Sequence, residues 1–450
     1  MVSRLGSVES PGSPELVSIV REMGRPLRSP ADLDPILDRI GDARFVLLGE
    51  ASHGTHEFYT WRAEISKRLI TEKGFSFLAV EGDWPDCYRV NRYVKGADDG
   101  GDNAYDVLHA FSRWPTWMWA NHEFVDLAEW LRRHNDGLPD RQKVGFYGLD
   151  VYSLWDSLHE VMGYLQRNRP EALPAARKAF RCFEPYGEDV QEYARSTLWV
   201  PKGCETEAIN LLSALRRRTM TRDVLDGESS FVAEQNALVV KNAEAYYRAM
   251  VHGGPDSWNV RDRHMAETLD RLVAHHGPSC KAIVWEHNTH IGDARYTDMA
   301  ADGMVNVGQL VRDDHADAGV VLIGFGSFRG SVIAGAEWEA PMERVTVPPA
   351  REDSWEHILH HAFGDDRLLI FDGDSGPSAA GNSGLETWRG HRAIGVVYRP
   401  RFEHYGNYVP TVLPKRYDAF MYIDQSRALS PLHMKVHHDH EVPETYPSGV

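Results

Sequence analysis

Four places in this chain put acids or imidazoles directly after a short apolar run. They are Gly49-Glu50-Ala51-Ser52-His53-Gly54, Glu81-Gly82-Asp83, Asp150, and Glu286-His287-Asn288-Thr289-His290. Near neutral pH a histidine can take a proton from water, provided a carboxylate holds its tautomer and stabilises the imidazolium. His53 is the expected general base, with Glu50 and Glu81 to hold it. His287 is placed to polarise a carbonyl or to protonate a leaving alcohol. Arg62, two turns into the next helical segment, could reach back to fix a carboxylate or stabilise an oxyanion; on its own it would read as a surface helix residue. His290 and Asp150 are expected to contact substrate. The same side chains could instead hold a divalent metal, since His287 and His290 have H-x-x-H spacing and Glu50, His53 and Glu81 could complete the set. A three-residue spacing in a loop after a strand does not guarantee a shared face, however. The expectation is therefore a site without cofactor, with a divalent metal as the rival.

The elements that must position these residues are apolar runs at 44–49, 77–80, 144–149, 282–285, 320–324, 368–371, 393–398 and 420–423. They lack clean two-residue alternation, as strands buried on both faces of a parallel sheet do. Helical spacing separates several of them: Phe58, Trp61, Ile65 and Leu69 follow Thr55, a fitting N-cap, and Phe124, Leu127 and Leu131 precede the third run. Strand–helix alternation predicts an α/β fold with a central, mostly parallel sheet flanked by helices. In such sheets ligands bind at the carboxyl ends of the strands, where the acids and histidines stand. Residues 153–277 contain no convincing strand and read as a helical insertion. The expected organisation is an N-terminal extension at 1–33, a discontinuous catalytic core at 34–152 and 278–430, the insertion at 153–277, and a tail at 431–450.

Several suggestive strings carry less. Gly373-Asp374-Ser375-Gly376-Pro377 resembles the nucleophile loop of chymotrypsin-type proteases, but it sits in a Gly/Ser-biased loop of an α/β chain, and triads are defined by geometry. No Gly-x-Ser-x-Gly elbow occurs. Gly324-Phe325-Gly326 with Gly330 misses the dinucleotide spacing. Trp114, Trp117 and Trp119 read first as core; Trp117 is taken as the one facing substrate in an apolar cleft. His437, His438 and His440 read as a solvated tail.

Composition narrows the partners. With 66 acidic against 49 basic residues the formal charge is −17, which disfavours nucleic acid and anionic membrane surfaces. No apolar run reaches the length of a membrane span, and the Ser/Gly/Pro-rich start has no apolar signal segment. Cys87, Cys182, Cys204 and Cys280 are scattered; they read as free thiols and a cytoplasmic location, with one disulfide left open. Oligomeric state is not legible.

The stretch 48–58 with Val80-Glu81-Gly82-Asp83 resembles the erythromycin esterase family. So do Gly148-Leu149-Asp150-Val151-Tyr152-Ser153, Trp258-Asn259-Val260-Arg261-Asp262 with Met265, and His287-Asn288-Thr289-His290. The resemblance runs in the family's order over most of the chain. It implies an α/β fold with a helical insertion and hydrolysis of a small-molecule ester or lactone, a macrolactone among the options, by activated water. It carries the family's active-site residues over to Glu50, His53, Arg62, Glu81, His287 and His290. The competing expectations are a metal-dependent hydrolase or peptidase using the same cleft, and a non-catalytic binder of polyketides or glycans.

Overall fold

The computed structural model describes residues 14–186, 190–199, 203–216, 227–371 and 384–433. The Gly373–Pro377 string and the tail histidines His437, His438 and His440 lie outside the described residues.

The strands are β1 (Arg25–Pro26), β2 (Phe45–Leu48), β3 (Phe77–Asp83), β4 (Gly145–Asp150), β5 (Ala282–Trp285), β6 (Val320–Gly335), β7 (Met342–Val347), β8 (Arg367–Ile370), β9 (Arg389–Arg392), β10 (Tyr408–Thr411) and β11 (Ala419–Ser426). Nine form one sheet in the order β1-β8-β11-β6-β2-β5-β3-β4, with β7 paired to β6; β9 and β10 form a separate antiparallel pair. The central pairs β11–β6, β6–β2, β2–β5, β5–β3 and β3–β4 are parallel. The pairs β1–β8, β8–β11 and β6–β7 are antiparallel.

Burial on both faces explains the unbroken apolar runs. Val46, Leu48, Leu78, Val80, Ile283 and Trp285 join one core, shared with Phe58, Ile65 and Leu69 of the His56–Lys73 helix and Phe124 and Leu127 of the His122–Asn135 helix. Their neighbours Phe45, Leu47, Phe77, Ala79, Ala282 and Val284 join a second core, with Met265, Leu269 and Leu272 of the Asp256–His276 helix. Between β4 and β5 the described residues are helical, and they pack a third core of their own around Leu158, Leu211, Leu238 and Tyr247. Residues 14–33 are built into the body: Leu16 and Val20 are buried in the second core, and β1 extends the sheet.

Two expectations need correction. The run 393–398 is not a regular strand. Ala393, Ile394, Val396 and Tyr398 are buried, but the backbone makes only single bridges, Ile394 to Ser52 and Val397 to Gly335. It crosses the ends of β2 and β6, so its apolar composition reflects burial alone. Cys182 and Cys204 are not free thiols but a disulfide. The fold of the helical insertion brings the end of the Leu173–Phe183 helix beside the start of the Glu205–Arg216 helix. That pairing removes the argument for a reducing compartment from cysteine chemistry. No helix among the described residues is long and apolar enough to cross a membrane.

Candidate active site

The loop after β2 is stitched in place by its backbone. The Gly49 amide donates to Ile323 O at 2.8 Å, Glu50 O accepts the Asn288 amide at 2.8 Å, and Ala51 O accepts the Ile394 amide at 2.8 Å. Gly54 O accepts from the amides of Ile333 and Leu429. A Cβ at Gly54 would collide with the Ile333 backbone, so only glycine lets the loop lie this close to β6. The loop therefore holds Glu50 and His53 on the sheet's carboxyl edge, three residues apart and turned towards each other.

Glu50 Oε1 lies 3.0 Å from His53 Nδ1, and Glu50 Oε2 accepts from Arg62 Nη2 at 2.6 Å. All three side chains are buried. Thr55 is the N-cap of the His56–Lys73 helix by position only; its hydroxyl pairs with Ser52 instead. Seven residues later Arg62 emerges inside the protein, its guanidinium 4.4 Å from the Tyr59 ring centroid and 4.6 Å from that of Trp285. Aromatic faces replace part of the hydration this cation gives up. The His287 ring stands beside His53, with centroids 4.9 Å apart. His287 Nδ1 accepts from the Thr289 amide at 3.3 Å, which leaves the proton of a neutral ring on Nε2, an atom without a hydrogen-bond partner. Burial, reinforced by the neighbouring His53 and His290, holds His287 well below the usual imidazole range. It is a neutral donor.

A second group of charges lies alongside. Arg261, from the Asp256–His276 helix, bonds Glu81 Oε1 at 2.7 Å and grips Asp150 through Nε at 3.0 Å and Nη2 at 2.8 Å. The other oxygen of Glu81 accepts the His287 backbone amide at 2.8 Å. Asp262, next on the same helix, holds His290 Nδ1 at 3.0 Å, and Trp258 stacks on the His290 ring at 4.5 Å. His290 Nε2 stands 3.1 Å from Arg261 Nη1 and 3.5 Å from Glu81 Oε1. Burial disfavours the His290 cation, but Asp262 and Glu81 outweigh it and lift the imidazole to about 9. Burial likewise pushes the Glu81 and Asp150 carboxyls up. His290 and Arg261 pull Glu81 below its ordinary value, and Arg261 holds Asp150 down at about 2. Glu286 faces this group with both carboxyl oxygens buried and unpartnered, and burial raises it well above the carboxylate range.

A small cleft of about 40 Å³ opens on the Glu81, Asp150 and Arg261 side. Phe111, Trp119, Tyr152 and Trp338 wall it, and Asp83 paired with Arg113 is set among them. The structure thus gathers Glu50, His53, Arg62, Glu81, Asp150, His287 and His290 at one edge of the sheet. Trp117 stands apart: it is fully buried, edge-on to Trp114, while Pro115, Met118 and Trp119 line the cleft. Glu50 is the carboxylate bonded to His53 Nδ1; Glu81 spends its oxygens on Arg261 and the His287 amide. Among the described residues no three acid, histidine or cysteine side chains converge as metal ligands do.

The erythromycin esterase family profile matches residues 70–426. The chain belongs to the erythromycin esterase family. Membership suggests ester hydrolysis as the class of activity. The chain is 23% identical to an erythromycin esterase type II of Escherichia coli over 64% of this chain and 71% of that one. It is 21% identical to a putative hydrolase, YbfO, of Bacillus subtilis over 85% and 83%. A Bacillus cereus protein of known structure superposes with a TM-score of 0.76, covering 93% of this chain and 98% of that one at 22% identity. A mutant of the erythromycin esterase EreC in its open conformation gives 0.63, covering 89% and 95% at 18% identity. Likeness at these identities establishes the fold. The family profile begins downstream of Glu50, His53 and Arg62, so the geometry above is what joins those residues to the rest of the site.

Sequence reasoning gave no role to Arg261, Asp262, Asp83 or Arg113. The signal for the first two was present: Trp258, Arg261, Asp262 and Met265 recur at helical spacing, all buried, and a charged pair on an otherwise apolar helix face must meet partners inside.

Proposed function

We propose that this protein hydrolyses a carboxylic ester or lactone with water activated by His53. The observation that carries the reading is the Glu50 link, one oxygen on His53 Nδ1 and the other on Arg62. It makes Nδ1 the protonated nitrogen and Nε2 the basic one. In the reaction Nε2 takes a proton from water, and the hydroxide equivalent attacks the acyl carbon. Glu50 stabilises the resulting imidazolium. His287 Nε2–H, neutral and without a partner, donates to the developing oxyanion. The His53 imidazolium then returns its proton to the leaving alkoxide, so an ester and one water become an acid and an alcohol.

The substrate enters by the aromatic-walled cleft beside Glu81 and Asp150. Macrolactones, starting with the erythromycin in the name of the E. coli relative, and acyl-glycans are the first compounds to offer. Mass spectrometry of each incubation should show a product heavier by one water, or its two fragments. Failure of purified, folded protein to turn over any ester or lactone in such a panel would overturn the proposal in favour of a non-catalytic binder.

A further inference from the structure

We propose that Arg261 is a positioning residue of this site, acting through Glu81 on the backbone that carries His287. The inference rests on the His53 hydrolase reading and adds to it the residue that sets the oxyanion donor. Arg261 is buried and shares its guanidinium between two carboxylates from separate strands, Glu81 at the end of β3 and Asp150 at the end of β4. Glu81 does not reach the His287 ring. It takes the His287 amide on the oxygen that Arg261 leaves free. The chain of contacts is therefore Asp150 to Arg261 to Glu81 to the His287 backbone, every link between 2.7 and 3.0 Å. His287 starts the short turn after β5, and its ring is held by one weak bond from the Thr289 amide together with the Thr289 hydroxyl. Its placement depends on that backbone.

The forked geometry is what the role requires. Two carboxylates buried side by side repel, and a planar guanidinium satisfies both while fixing the angle between them; an ammonium would neutralise them without fixing it. Tyr152 closes the arrangement, its ring centroid 4.8 Å from the Arg261 guanidinium. Arg261 also stands on the same helix face as Trp258 and Asp262, which hold His290 by stacking and by hydrogen bonding. One helix from outside the parallel strands thus sets both imidazoles of the turn after β5.

The test is steady-state kinetics of Arg261→Lys and Arg261→Gly on an ester that the wild type turns over, with thermal melting to confirm folding and with guanidinium added in the low millimolar range. The expected result is a kcat lower by about a hundredfold in both variants, as a misplacement of about an ångström produces. KM should stay within about threefold, and added guanidinium should restore part of kcat in Arg261→Gly only. Wild-type kcat in Arg261→Lys would mean that charge alone suffices and would overturn the proposal. So would a loss confined to KM, which would make Arg261 a substrate contact. If Arg261→Gly does not fold, the kcat and KM of Arg261→Lys decide. Should His53→Ala itself keep full turnover, the hydrolase reading fails separately from the role of Arg261.

Discussion

Glu50 stands between Arg62 and His53 as a shared acceptor, 2.6 Å from the guanidinium and 3.0 Å from Nδ1, with all three side chains withdrawn from solvent. Its two oxygens have separate duties, one holding the imidazole in a single tautomer and one tied to the Arg62 guanidinium. Removing Arg62 should therefore cost both stability and rate. Arg62→Met leaves Glu50 buried and half-paired, a change that costs about 3–5 kcal/mol when one partner of a buried pair is deleted. Urea denaturation should show that loss. Adding Glu50→Gln should recover part of the stability without recovering turnover, because a neutral amide cannot stabilise the imidazolium.

A serine route is the chemical alternative to water. Ser52 adjoins His53, but its hydroxyl pairs with Thr55 and not with the imidazole. Ser52→Ala should keep most of the wild-type kcat, and intact-protein mass spectrometry during turnover should show only the unmodified chain. An adduct on Ser52, or a burst of alcohol equal to the enzyme concentration, would assign the nucleophile to this residue.

His290 gives stability a defined pH dependence. Its imidazole titrates from 6.5 in the unfolded chain to about 9 in the folded one, because Asp262 and Glu81 outweigh burial. The folded state holds the proton more tightly, so this contribution is complete below pH 6.5 and disappears as pH rises through 9. Urea midpoints taken across that window should fall with rising pH. In Asp262→Asn, which removes the larger of the two favourable charges, the fall should be shallower; an unchanged slope would place the proton elsewhere.

Arg261 also bears on metal dependence. Its guanidinium occupies one oxygen of Glu81 and both of Asp150, and both ring nitrogens of His290 are engaged, Nδ1 by Asp262 and Nε2 by Arg261 Nη1. Activity should survive exhaustive dialysis against a chelator. Loss of activity that zinc or manganese restores would mean that these contacts rearrange around an ion.

The sheet and the gathering of acids and imidazoles at its strand ends were legible because they follow from short-range pattern. Runs such as Phe45–Leu48 and Ala282–Trp285 are apolar on both faces, and a parallel sheet presents whatever follows each strand at one edge. What escaped was of two kinds. β7, Met342–Val347, carries Glu343 and Arg344 and exposes them together with Thr346, so it lacks the signature of a buried strand. Arg261 and Asp262 lie far along the sequence from their partners, on a helix that sequence assigned to the insertion. Only packing brings that helix over the ends of β3, β4 and β5. The Cys182–Cys204 disulfide escaped for the same reason, since it depends on how two helices meet.

The central claim, that His53 activates water, is tested most directly by the turnover of His53→Ala on an ester or lactone that the wild type hydrolyses. The variant should fold with an unchanged melting profile and bind substrate, yet show a kcat lower by about 10²–10⁴-fold, the range for a positioned acid–base group. Turnover close to wild type in the folded variant would contradict the account and remove His53 from the mechanism.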